Sequence, residues 1–184
     1  MSGAAELQDK LDRSREQLLE AIAWLPDEAL LQPDAAGRWS VADLLSLLTA
    51  WEAELVTALM RLGQGKKPGR LLDALARREA YDEARVGETH GRELGAIFTD
   101  WQQVRVQLEE WLADLRDRDL NQPGRYTWLG GRSLAQLIEE VILHREARYL
   151  PDLERFAQTW REAHGNGRPS VPPGGSLEDR DGDN

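Results

Sequence analysis

The stretch that decides the fold is Ser40-Val-Ala-Asp-Leu-Leu-Ser-Leu-Leu-Thr-Ala-Trp-Glu-Ala-Glu-Leu-Val-Thr-Ala-Leu-Met-Arg-Leu62. Val41, Leu44, Leu45, Leu48, Trp51, Leu55, Leu59 and Leu62 recur at three- and four-residue intervals, the period of one face of an α-helix. Ser40 stands where an N-cap belongs, with Asp43 three residues on as a short capping box. Gly63 and Gly65 end the run. A helix this long, with a wide apolar stripe, needs partners of the same kind.

Three partners follow from the same period. The first carries Leu7, Leu11, Leu18, Ile22 and Leu25 and stops at Pro26. Another carries Leu94, Ile97, Phe98, Trp101, Leu108, Leu112 and Leu115. The last opens after Gly130-Gly-Arg132 with Ser133 as cap and carries Leu134, Leu137, Ile138, Val141, Ile142, Tyr149, Leu153, Phe156 and Trp160. No useful length of strand-like alternation appears, so the fold class is all-α, a four-helix bundle. Residues 63–90 form one long crossover between the second and third helices, with a short helix expected around Leu71 to Ala84. Trp39, Trp51, Trp101 and Trp111 are expected to anchor the core. Pro151 predicts a kink in the last helix.

The chain has 184 residues, with Lys+Arg 23 against Asp+Glu 33 and a net charge of −10, which argues against nucleic acid and anionic membranes as partners. It has no cysteine, hence no disulfide framework and no thiol nucleophile. Residues 1–161 read as the bundle. From 162 to 184, Gly and Pro supply 8 of 23 residues and the end is acidic, which reads as a disordered tail. No signal-peptide core or membrane run is seen, so a cytoplasmic protein is expected.

Function in a bundle sits where polar side chains turn inward. On ideal-helix angles Glu52 falls inside the second stripe, Arg105 inside the third, and Arg145, Arg148 and Asp152 inside the fourth, with His144 at its edge. Three arginines against Glu52 and Asp152 leave a positive surplus that suits an anionic or polar ligand. The competing interpretation is a closed ion-pair network that fixes helix register. Tyr126 and Trp128, in a loop above a helix start, either rim the pocket or cap the bundle. His90 and His164 read as solvent residues. A helical metal site wants histidines four apart, whereas Arg148 follows His144 at that spacing, so neither metal nor other cofactor is expected.

Arg38-Trp-Ser-Val-Ala-Asp-Leu-Leu-Ser-Leu-Leu-Thr-Ala-Trp-Glu resembles the second-helix motif of DinB-like bundles. Asp119-Leu-Asn-Gln-Pro-Gly-Arg-Tyr-Thr-Trp, Gly131-Arg-Ser-Leu, His144-Arg-Glu-Ala-Arg and Leu150-Pro-Asp-Leu resemble the ClbS/DfsB branch of those bundles. The resemblance covers residues 5–160 and implies an up-and-down bundle and, in many members, a homodimer. Metal-binding members hold zinc or nickel with one histidine in the second helix and two in the fourth, and use it in thiol-dependent transfer. Of that set this chain keeps His144; Leu47 and Arg148 stand at the other two positions.

The ClbS/DfsB branch implies instead a metal-independent protein that opens or sequesters a small strained electrophile, in self-resistance or detoxification. In that reading Glu52 is the base, Arg148 or Arg145 holds an oxyanion and His144 relays a proton. Arg105, Asp152, Trp51, Tyr126 and Trp128 complete the ligand pocket. The alternatives are a small-molecule binding module without chemistry and a metal-dependent thiol transferase.

Overall fold

The computed structural model describes residues 3–165. Its helices are α1 (Gly3–Ile22), α2 (Asp27–Leu30), α3 (Val41–Gly63), α4 (Gly69–Ala76), α5 (Arg78–Thr89), α6 (Leu94–Ala113), α7 (Asp117–Asn121), α8 (Leu134–Val141) and α9 (Leu143–His164). A single 3-10 turn lies at Thr127–Leu129, and there is no strand among the described residues. The fold is an all-α bundle in which α3 packs chiefly on α6 and α1 on α9.

Helix α3 is central, and its N-terminal half is buried on every side. All eight residues from Val41 to Leu48 are buried, Asp43 and Ser46 included. Asp43 belongs to the cap: the Ser40 hydroxyl accepts from the Asp43 N–H at 3.0 Å, and the Asp43 carboxylate takes the Ser40 N–H at 3.3 Å. His90, at the end of α5, adds a contact of 3.0 Å between its Nδ1 and the same carboxylate.

Two apolar clusters fill the bundle. One gathers Leu7, Leu11, Leu47, Trp51, Leu55, Leu108, Leu112, Leu137 and Ile138, and the other Leu18, Ile22, Val41, Leu44, Leu45, Ile97, Trp101 and Leu153. Trp51 and Trp101 anchor them fully buried, while Trp39 and Trp111 are only partly buried. No helix among the described residues is long and apolar enough to cross a membrane.

Three local expectations are corrected. The crossover holds two helices, α4 and α5, where one short helix was expected, because Arg77 departs from helical angles (φ −128°, ψ 46°) between them. The fourth helix is interrupted at Ile142 (φ −104°, ψ −69°), while Pro151 lies inside α9. Pro151 and Ala147 are both exposed, so the carbonyl the proline leaves without its helical donor is on the solvent side. Helix α9 also continues to His164, whose ring stacks on Trp160 at 4.0 Å. The remainder of the expected tail, 166–184, lies outside the described residues.

Candidate functional site

The offset at Ile142 organises everything that follows. Before it, α8 buries Leu134, Leu137, Ile138 and Val141; after it, α9 buries Glu146, Tyr149, Leu153 and Ala157. Extending the α8 stripe without a break puts Arg145, Arg148 and Asp152 inside. The offset advances the buried face by one residue, about 100° of turn. Glu146 therefore points inward, and His144 and Arg148 are exposed on the opposite side.

Inside the bundle Glu146 joins Arg15, Glu52 and Arg105, one residue from each of the four long helices. Arg105 donates to Glu52 through Nε (3.0 Å) and a terminal nitrogen (2.9 Å), and to the Leu11 carbonyl at 3.0 Å. Arg15 pairs with the same Glu52 carboxylate, donates to the Trp101 carbonyl at 2.9 Å and lies 3.8 Å above the Trp101 ring. Glu146 accepts from the Ser14 hydroxyl and stands 3.5 Å from Arg105. Two arginines meet two carboxylates, so the cluster is formally neutral. Burial pushes the Glu146 carboxyl up, with Arg105 and Ser14 opposing it. At Arg105 burial pulls the guanidinium down, but the Glu52 carboxylate, with Glu146 and Glu109, outweighs it and holds the group above its ordinary value.

The cavity lies elsewhere. It has a volume of about 620 Å³ and opens between the loop before α3 (Ala36–Trp39), α5 and the α8–α9 junction. The loop makes its turn through Gly37, at φ 62°, and Ala36 and Trp39 close it with paired backbone bonds of 2.9 and 3.1 Å. Arg38 lies over the Trp39 ring at 4.3 Å and reaches Glu83 of α5 at 3.0 Å. The wall on the α9 side holds His144, Arg145, Arg148 and Tyr149.

Beneath them Asp82 accepts from Trp51 Nε1 at 2.7 Å and from Arg145 at 3.0 Å, while the Arg145 guanidinium lies 4.2 Å above the Trp51 ring. The Arg145 side chain is 10% exposed, and its Nε is buried without a hydrogen-bond partner. Arg148, 5.8 Å over the Tyr149 ring, and His144 have no hydrogen-bond partner among the described residues.

The structure thus brings together His144, Arg145 and Arg148 on one wall, with Trp51 in the layer beneath. It does not bring Glu52 or Arg105 to them. Both oxygens of Glu52 are engaged by arginines, and the side chain is 2% exposed, so the base expected at Glu52 is placed in the closed network. Asp152 pairs with Arg155 at 2.9 Å on the next turn of α9, outside this cavity. Tyr126 and Trp128 pack on each other at 5.6 Å and against the apolar core without lining the cavity. Arg15, Glu146 and Asp82 were not singled out by the sequence reading, and Trp39 was expected as a core anchor rather than in the cavity wall. Arg15 had a signal, four residues after Leu11 and three before Leu18 on the first stripe. Asp82, in the crossover, had none.

A three-histidine metal set does not fit these residues. Leu47 is wholly buried in the apolar core, and Arg148 puts a cation one turn from His144. Among the described residues no group of three His, Asp or Glu side chains is placed to share an ion.

Glu140 marks the cavity edge, pairing with Arg78 and Arg132. Burial pushes its carboxyl up, but the hydrogen bonds from the two arginines outweigh this and hold it below its ordinary value. That stabilisation is present above the ordinary glutamate range and is lost as pH falls through the lowered folded-state value. Glu140→Gln should therefore cost about 0.5–1 kcal/mol at pH 7, discounted for solvent exposure. In urea titrations at successive pH values, the difference from the parent should shrink on acidification below the glutamate range. A difference that stays constant to the acid limit would mean that the pairs contribute nothing.

The long helices thus meet in one neutral ion-pair cluster, with a polar cavity held apart from it. The chain belongs to the DinB superfamily, whose family model matches residues 10–148. No curated protein and no solved structure matches the chain.

Proposed function

We propose that this DinB-superfamily chain binds a small electrophilic metabolite in the cavity beside α9 and removes it, by ring-opening hydrolysis or by sequestration, as the ClbS/DfsB resemblance implies. The observation that carries the reading is the nine-tenths buried Arg145, whose Nε lacks a partner in the wall that also holds His144 and Arg148. Donors without acceptors in a cavity favour a ligand that brings an anionic or carbonyl oxygen. No step runs through a metal ion, because Leu47 and Arg148 occupy two of the three ligand positions.

The chemistry then rests on His144. A neutral imidazole nitrogen takes a proton from water as the water oxygen bonds to a carbon of the strained ring. The ring bond breaks with its electron pair on the departing atom, Arg148 meets that charge, and the imidazolium returns the proton. For an epoxide the balance is ring plus water to diol. Glu52 serves by position, holding α3 against α1 and α6. A cytoplasmic setting and a homodimer belong to the same proposal.

Phenylglycidate, an aryl epoxide carrying a carboxylate, tests it. Formation of the diol over many turnovers would support hydrolysis, whereas one bound equivalent per chain without product would support sequestration. Neither binding nor product with this probe and an electrophilic cyclopropane carboxylate would sink the reading.

A further inference from the structure

A second cavity, of about 300 Å³, is walled by α3, α4 and α5 and does not share its polar residues with the first. Its deepest polar group is Glu54, which reaches outward from α3 yet is only 6% exposed at the side chain. A carboxylate buried this far is expected to have both oxygens met. Oε1 is met: Arg70 donates to it at 2.8 Å and the Tyr81 hydroxyl at 3.3 Å. Oε2 is buried and has no partner.

The same cavity has a complementary group. Arg85 spends its two terminal nitrogens on Glu88, each at 3.0 Å, and its Nε is buried without a partner. Arg77, exposed at the α4–α5 junction, has no side-chain partner among the described residues. The Tyr81 ring forms an apolar flank, beside Ala74 and Ala80. Burial, then the Glu54 carboxylate, pushes the Tyr81 phenol up, so it remains a donor at neutral pH. One cavity thus holds an acceptor lacking a donor and a donor lacking an acceptor.

We propose that this cavity is a second ligand site, for a small zwitterion of the amino-acid kind, whose ammonium donates to Glu54 Oε2 and whose carboxylate accepts from Arg85 Nε and Arg77. The exposed Arg70 forms the rim and swings aside to admit it. The volume suits a molecule of that size. Nothing in the assignment depends on the chemistry of the first cavity.

The test is thermal shift followed by calorimetry on the full chain with the proteinogenic L-amino acids one by one, and with acetate and methylammonium as half-ligands. At least one amino acid should bind at one per chain, with each half-ligand at least about tenfold weaker. Glu54→Gln should weaken that binding by about tenfold or more, and Arg77→Ala severalfold, while Arg148→Ala leaves it unchanged. Arg77 is exposed, so its variant decides the matter if Glu54→Gln fails to fold. The proposal is overturned if no amino acid binds, which would leave water as the partner of both orphan atoms. It is equally overturned if binding survives both cavity variants or is lost in Arg148→Ala.

Discussion

Glu52→Ala should cost about 3–5 kcal/mol of stability, the usual penalty for removing one partner of a buried ion pair. Against a total of about 5–15 kcal/mol for a domain, that is enough to leave much of the protein unfolded at physiological temperature. Glu52 accepts from both Arg15 and Arg105, which are buried, so its removal leaves two guanidinium groups in the bundle with Glu146 as the one carboxylate still paired to them among the described residues. The size of the loss comes from these stranded cations more than from the pairs themselves. The controls follow from that. Glu52→Gln keeps the shape and one accepting oxygen but turns an NH2 toward an arginine donor, so it should cost less than the alanine variant while remaining destabilising. Replacing Arg15, Glu52, Arg105 and Glu146 together by Met and Leu should cost less still, since no charge remains to be desolvated. Urea denaturation with an unchanged slope reads all three. A Glu52→Ala variant within about 1 kcal/mol of the parent would mean that water reaches the cluster.

Much of the fold was legible because α3, α6 and α1 are long and strictly periodic, and tertiary packing has little to override in such segments. The caps at Ser40 and Ser133 were legible for the same local reason. Glu146 carried the same signal as Arg15, four residues after Ile142 and three before Tyr149 on the fourth stripe, yet counting onward from Val141 selects Arg145, Arg148 and Asp152 instead. Buried before the break at Ile142 are Leu134, Leu137, Ile138 and Val141, and after it Glu146, Tyr149, Leu153 and Ala157, so Glu146 and not Arg145, Arg148 or Asp152 takes the inner face. The surplus of positive charge expected in the core is replaced by a balanced cluster that keeps Arg105, while Arg145 and Arg148 line a cavity. The sequence reading held both interpretations of the inward charges as competitors. In the structure Glu52 and Arg105 belong to the ion-pair network, and His144, Arg145 and Arg148 line a cavity apart from it.

The two arrangements share one helix, and this sets up a separation of effects. Glu146 anchors the first turn of α9 from inside, while His144 and Arg148 leave the same two turns on the outer side. A substitution on the outer side should alter ligand chemistry with little effect on folding, because both residues are exposed. His144→Gln removes the proposed base while preserving size and one hydrogen-bond donor. It should lower kcat for phenylglycidate by about 10²–10⁴-fold, the range a general base contributes, with KM nearly unchanged. Arg148→Ala removes a donor to the ligand oxygen in both ground and transition states. Because Arg148 also meets the charge that develops on the departing atom, its loss should lower kcat by about 10²–10³-fold as well as raise KM. Arg105→Met, by contrast, should reduce stability sharply and leave the kinetics of whatever fraction remains folded close to the parent's, because its side chain touches the cluster and not the cavity. Product formation by His144→Gln at the parent rate would remove the base from the mechanism.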